Sequence, residues 1–208
     1  MNAALITITP EAEALMAYIA RVSSPHQENP EYEKLLKYCI EHQHWSVFEQ
    51  AHMTIEIETS RMVSAQILRH RSFTFQEFSQ RYSEAFDYEP CDARRQDTKN
   101  RQNSIDDLSD EVKEQWRAVQ RELFTKALDA YHSALDMGIA KECARAVLPM
   151  STKTKLYMTG NIRNWIHYIQ LRTGPDTQLE HRQVAQVIRS IFIRELPTVS
   201  KALGWEDL

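Results

Sequence analysis

Glycine is scarce: the 208 residues hold four, at Gly138, Gly160, Gly174 and Gly204. No two stand close enough to build a phosphate-cradling loop, and neither GxGxxG nor GxxxxGK[ST] occurs. That absence counts against a Rossmann-type dinucleotide site. Cysteine is as sparse. Cys39, Cys91 and Cys143 are odd in number and form no CxxC pair, so no disulfide framework is expected and a reducing compartment is the simpler setting. No stretch approaches the roughly 20 apolar residues that span a bilayer. The opening MNAALITITPEAEALMAY lacks the basic region of a secretory signal. A cytoplasmic protein without a membrane partner is expected. The net charge of -4 supplies no global basic field for nucleic acid, so any anion site must come from a local concentration of arginines.

What is present is ordinary globular composition, 42% hydrophobic and 26% charged, in a chain long enough to bury a core without staples. Leu5 to Ile8 reads as a strand. Thr9 and Pro10 open a helix with Leu15, Tyr18, Ile19 and Val22 on one face. A second helix, with Pro30 in its first position, buries Leu35, Leu36, Cys39 and Ile40. Residues 52–58 alternate, Met53, Ile55 and Ile57 against Thr54, Glu56 and Glu58, as a half-buried strand does. From Arg61 the period is helical, along Met62, Ala65 and Leu68. Residues 84–108 are polar and irregular, of a length that marks lids or disorder. A long helix follows Ser109, its stripe running Val112, Trp116, Val119, Leu123, Ala127, Ala130 and Ala134 to a cap at Gly138.

Residues 139–148 suggest a short helix stopped by Pro149, and Leu156 and Met158 a strand. Asn161 caps a helix with Ile162, Trp165, Ile166 and Ile169 inside and Arg163, His167 and Gln170 opposite. Thr177 and Glu180 suggest a capping box for a last long helix that buries Val184, Val187, Ile188 and Ile191. The expected fold is α+β: a helix-rich single domain over 1–208, with a small mixed or antiparallel sheet flanked by helices, not a Rossmann fold.

The densest polar chemistry is the fourteen-residue run RHRSFTFQEFSQRY, Arg69 to Tyr82. Its three arginines suit a bidentate grip on phosphate, and the interleaved Phe73, Phe75, Phe78 and Tyr82 suit a flat ring. Composition alone does not separate such a ligand site from a salt-bridged, solvated helix face.

Residue order does. Arg69-His70-Arg71, seven residues, then Ser79, with Glu77 before the serine and Arg81-Tyr82 after it, resembles the signature of flavin-dependent thymidylate synthases. Gln76 stands where the family usually has asparagine. The resemblance extends to Ala20-Arg21-Val22-Ser23, to the run from His42 to Glu49, to Cys143-Ala144-Arg145 leading into Val147-Leu148-Pro149, and to Asn161-Ile162-Arg163, His167 and Leu171-Arg172.

That resemblance implies reductive methylation of dUMP to dTMP, with FAD as cofactor and NADPH and methylenetetrahydrofolate as co-substrates. It implies a homotetramer with active sites between subunits, and no cysteine nucleophile. Arg172 is the expected catalytic residue, a fixed cation assisting ionisation at N3 of the pyrimidine. Otherwise it is a helix-terminal arginine before Gly174 and Pro175. Gln66, Arg69, Arg81, Arg145 and Arg172 are expected to hold dUMP, with Glu77, Phe78, Ser79 and Gln80 lining the pocket. Ser46, Arg69, His70, Arg71, Glu77, Asn161, Arg163 and His167 are expected at FAD. Ser46 with Glu49 also reads as a capping box. Ser79 lacks a GxSxG elbow and is read as a ligand contact rather than a nucleophile.

Two rival functions compete. A metal-dependent hydrolase would use His42, His44 and His52 with Glu49, although HExxH spacing is missing and no metal is expected. A non-enzymatic nucleic-acid binder would use the 69–81 segment with Arg94, Arg95, Lys99 and Arg101, against the net charge.

Overall fold

The structure, a computed structural model, describes residues 1–84 and 87–205. Its centre is a four-stranded sheet in which every neighbouring pair is antiparallel: β1 (Asn2–Ile8), β2 (His52–Ser60), β6 (Lys153–Asn161) and β3 (Thr74–Glu77), in the order β1-β2-β6-β3. The expected alternation in β2 holds. Met53, Ile55 and Ile57 are buried and face Gly160, Met158 and Leu156 of β6. Burying each large apolar side chain stabilises by about 1.5–3 kcal/mol. On the wet face Lys155 bridges Glu56 at 3.2 Å and Glu58 at 2.9 Å, so the two carboxylates share one cation.

Helices α1 (Ala12–Ala20), α2 (Glu33–Glu41), α6 (Ile162–Arg172), α7 (Leu179–Glu195) and α8 (Pro197–Ala202) contribute side chains to the same core. α6 follows β6 without a linker because Asn161 accepts the Asn164 N–H at 2.9 Å, the expected cap. Trp165 and Ile166 point inward from α6, and the Trp165 indole donates to the Met53 carbonyl at 3.0 Å. The short helix α3 (Arg61–Ile67) leaves β2 with Ser60 as its cap. Between α3 and β3 the chain turns tightly against β6. A Cβ on Gly160 would stand 2.5 Å from the Phe73 ring, so glycine there admits the turn.

Several expected faces are corrected. In α1 the buried residues are Ala12, Glu13, Met16 and Ala17, whereas Tyr18 and Val22 are exposed. Thr9 bonds the His52 backbone instead of capping a helix. α2 starts three residues beyond Pro30 and buries Leu36 and Cys39, with Leu35 and Ile40 half-buried. α3 buries Val63, Ser64 and Ile67 and leaves Ala65 and Leu68 outside. No side chain caps α7; Thr177 instead donates to the Leu171 carbonyl, and Val187 is exposed.

The largest difference is in α4 (Asp110–Asp136), which begins and ends as expected. Its buried residues are Phe124 and Tyr131, while Val112, Trp116, Val119 and Leu123 face solvent. The polar stretch 84–108 is not wholly irregular. It holds a small ribbon, β4 (Arg95–Gln96) with β5 (Ser104–Ile105), and Trp116 and Gln120 of α4 hydrogen-bond Cys91. Residues 85 and 86 of this stretch lie outside the described residues.

Candidate active site

The end of α3 and the end of α6 meet. The backbone turns sharply after Ile67, with His70 N–H bonding the Ile67 carbonyl at 3.0 Å and Phe73 N–H the His70 carbonyl at 3.1 Å. This aims His70 at α6, where Arg172 Nε donates to His70 Nε2 at 2.9 Å. Accepting from a guanidinium requires a lone pair, so His70 is neutral with its proton on Nδ1. Burial, helped by Arg172 and His167, pushes the His70 pKa down to about 4. The Arg172 pKa is itself lowered by burial and by Arg69, against an opposing pull from Tyr168.

What the arginines of this corner lack is a carboxylate partner. Arg61, Arg81, Arg94 and Arg163 each pair with a carboxylate, whereas among the described residues no carboxylate meets Arg69, Arg71 or Arg172. Clustered cations without a counter-ion favour an anionic ligand. Arg163 pairs with Glu49 at 2.5 Å, which brings the turn carrying Ser46 against the start of α6. Ser46 lies inside a short helical turn, Trp45–Glu49, that has no side-chain cap, so the capping box is corrected. Arg163 and His167, one turn apart, share an exposed side of α6, whose last residue is Arg172.

The other expected residues gather at the far end of β3. Glu77 accepts from Ser64 at 2.6 Å and Thr154 at 3.0 Å and pairs with Arg61 at 3.1 Å, so its carboxylate is committed inside the protomer. Arg61 also donates to the Phe78 carbonyl. Ser79 organises a turn, its hydroxyl accepting from Arg81 N–H at 3.3 Å. Gln80 is buried, and its amide nitrogen has no partner. Arg81 reaches Glu142 in α5 (Lys141–Ala144) at 3.2 Å, and Arg145 donates to the backbone carbonyl of that same Glu142. Thus Gln66, Arg69, His70 and Arg172 form one group, and Glu77, Phe78, Ser79, Gln80, Arg81 and Arg145 another. A cleft of about 300 Å³ adjoins the second group, lined by Phe78, Ser79, Tyr82 and Lys155. Another cleft, of about 620 Å³, is lined by Glu58, Glu84, Asp87 and Glu89 together with Lys153 and Lys155, and each of these carboxylates is already paired with a cation.

Relatives decide the assignment. The profile of the family described as "Thymidylate synthase complementing protein" matches residues 4–198. A flavin-dependent thymidylate synthase of Synechocystis sp. is 55% identical over 193 residues, 93% of this chain and 90% of that one. A probable flavin-dependent thymidylate synthase of Paramecium bursaria Chlorella virus 1 is 51% identical over 215 residues, covering 99% and 100%. Among solved structures, the UMP/dUMP methylase PolB of Streptomyces cacaoi, bound with 5-Br dUMP, superposes with a TM-score of 0.87 at 27% identity, over 98% of this chain and 94% of its own.

The chain belongs to the family of flavin-dependent thymidylate synthases.

A flavin-dependent thymidylate synthase built this way contains groups that the motifs did not flag. Tyr168 and His181 are buried beside His70, and their pair (Tyr168 OH to His181 Nε2, 3.1 Å) adjoins Gln66. Tyr168 had a signal, since it stands one turn before Arg172 on α6. His181 had none, because its approach depends on how α7 packs. Glu142 was equally silent.

Of the histidines behind the metal rival, His52 opens β2 while His42 and His44 lie in no strand. His42 ends α2 and stacks on Tyr38 at 3.9 Å, and His44 precedes the Trp45–Glu49 turn. Among the described residues, no group of three or more His, Cys, Asp or Glu is arranged to hold a metal. Among the described residues, no helix is long and apolar enough to cross a membrane.

Proposed function

We propose that the protein converts dUMP to dTMP by reductive methylation, as one functional unit over residues 1–208 working in the cytoplasm. Methylenetetrahydrofolate is the carbon donor and NADPH the source of reducing equivalents. The observation that carries this reading is the Arg172–His70 contact in a corner where Arg69 and Arg71 also lack carboxylates. It supports a site for anionic, planar ligands.

The donor set fits FAD. Arg69 and Arg71 are exposed cations, Arg163 (paired with Glu49) and His167 are exposed along α6, Asn161 stands at its start and Ser46 in the adjoining Trp45–Glu49 turn. Together they offer hydrogen-bond donors to a pyrophosphate without a glycine loop. His70 shapes the inner wall. The chemistry such a cofactor contributes is hydride transfer. Arg172, held by His70, places its guanidinium where charge develops on the uracil ring and so favours ionisation at N3. Gln66 and Arg69 would grip the nucleotide from the same corner.

Arg81 and Arg145, with Glu77 to Gln80, are assigned to dUMP as well, although they lie at the other end of β3. A second subunit supplies a way for the two groups to share one ligand, which supports a homotetramer with active sites between chains. The exposed apolar side of α4 is consistent with such contacts.

Purified protein is expected to be yellow, with the visible absorbance of oxidised flavin lost on anaerobic addition of NADPH, and to form dTMP once methylenetetrahydrofolate and dUMP are present. Colourless protein that takes up no added FAD overturns the assignment.

A further inference from the structure

His181 is fully buried, and nothing in the site described so far uses it. Both of its ring nitrogens are engaged, Nε2 with the Tyr168 hydroxyl at 3.1 Å and Nδ1 with Gln66 Oε1 at 3.4 Å. Gln66 Nε2 meets Gln178 Oε1 at 2.6 Å, and Gln178 Nε2 meets Glu180 Oε2 at 2.8 Å. The other Glu180 oxygen accepts from Arg94 at 2.7 Å and from the Cys91 thiol at 3.3 Å. Side chains of α3, α6, α7 and the polar stretch 84–108 thus form one hydrogen-bonded line.

The acidic end gives that line a direction. Burial pushes the Glu180 carboxyl up, but hydrogen bonds from Gln178 and Arg94 outweigh it and hold the group lowered, so it is ionised. A carboxylate only accepts. Gln178 must therefore turn its NH2 toward Glu180 and its carbonyl toward Gln66. Gln66 must then donate to Gln178 and present its own carbonyl to His181, which requires the proton on Nδ1. Burial, with Arg172 and His70 nearby, takes the His181 pKa to about 3, so the ring is neutral and Nε2 bears a lone pair. Tyr168 donates to it. Each orientation follows from the one before.

We infer that Glu180 and His181 are positioning residues for the nucleotide, which through Gln178 fix the edge of the Gln66 amide that donates and the edge that accepts. The inference rests on the reading above, in which Gln66 contacts dUMP. A primary amide carries two N–H donors and two lone pairs. The line uses one of each and leaves one of each on edges that cannot exchange, because a flipped Gln66 would set donor against donor at His181 and acceptor against acceptor at Gln178. Arg94 anchors the line from the polar stretch, so the seating of that stretch bears on the same amide.

Turnover of dUMP by the wild-type holoenzyme tests the parent reading by itself. The line is tested by 15N-histidine NMR of the folded protein, which should show His181 neutral with its proton on Nδ1. Glu180→Gln removes the acceptor-only end and should raise KM for dUMP about tenfold with kcat changed less than about threefold. Two further variants keep the test open if that one does not fold. His181→Asn places an amide donor near the Nδ1 position, whereas His181→Gln reaches toward Nε2, so the asparagine variant should keep KM nearer to wild type. A role in packing alone predicts the reverse order, because glutamine fills more of the space. An Nε2–H tautomer, a better glutamine than asparagine variant, or an unchanged KM in folded Glu180→Gln each overturns the inference. Wild-type protein that leaves dUMP untouched overturns the parent reading instead, and the tautomer still reports on the line.

Discussion

The side chain of Arg172 donates from Nε to Nε2 of His70 at 2.9 Å, joining the last residue of α6 to the turn after α3. A cation is thereby held by a neutral imidazole rather than by a carboxylate. Its charge is oriented but not cancelled, and it stays available to a ligand.

Arg172→Ala is expected to abolish dTMP formation, and Arg172→Lys to lower kcat about 100-fold or more, because an ammonium reproduces neither the Nε–H contact nor the planar fork. Circular dichroism should show both variants folded. Retained turnover in the alanine variant removes Arg172 from the catalytic role.

Acid should destabilise the protein through its buried imidazoles. His70 titrates at about 4 and His181 at about 3 in the folded chain, against 6.5 for an ordinary histidine. The unfolded chain takes up these protons first, so the stabilising contribution is complete above about pH 6.5 and is lost as pH falls through 4 and then 3. Thermal midpoints of wild type and His70→Gln should converge on acidification between pH 6.5 and 4. Parallel profiles would contradict the depressed value.

Glu77 is expected to behave as a structural residue as much as a ligand contact. Glu77→Ala strands the Arg61 charge and the Ser64 and Thr154 hydroxyls, at a cost of about 1–3 kcal/mol in urea denaturation. Unchanged stability with weaker dUMP binding would mean that the carboxylate serves the ligand alone.

Gly160→Ala should destabilise by about 1–3 kcal/mol, since its methyl meets the Phe73 ring at 2.5 Å and both strands beside it are already paired. Phe73 lies edge-on to His70, so dUMP turnover should fall with it. A neutral substitution would show that the turn yields without cost.

Leu123 is 59% exposed on the outer side of α4. If that side is covered by another subunit, Leu123→Asp should shift the sedimentation profile to smaller species and reduce turnover while helix content stays constant. An unchanged sedimentation profile would place any subunit contact elsewhere.

Much of the fold is legible in the sequence. The strict alternation from Met53 to Ile57 named a strand and its buried face, because a period of two admits only one arrangement with that face dry. Asn161 and Ser109 marked helix starts through local hydrogen bonds that need no distant partner. The Arg69–Tyr82 run pointed to the family through residue order. Helix faces were less legible. In α1 and α3 apolar residues occur on more than one side, and only the sheet's position selects the side that is buried. The α4 stripe has a helical period, yet Val112, Trp116, Val119 and Leu123 stay exposed within one chain, although Trp116 bonds Cys91 of the polar stretch.

By itself, then, the sequence determined the longer strands and helices, though not β3, β4 or β5, and which family carries the motif, since these are written over a few consecutive residues. Only the tertiary structure decided that Arg172 meets His70, that Glu77 is spent on Arg61, and that His181 stands behind Gln66. Two of these pairs join residues more than 100 positions apart. Such contacts depend on how β6, α6 and α7 stack around a shared core, and no local period encodes that.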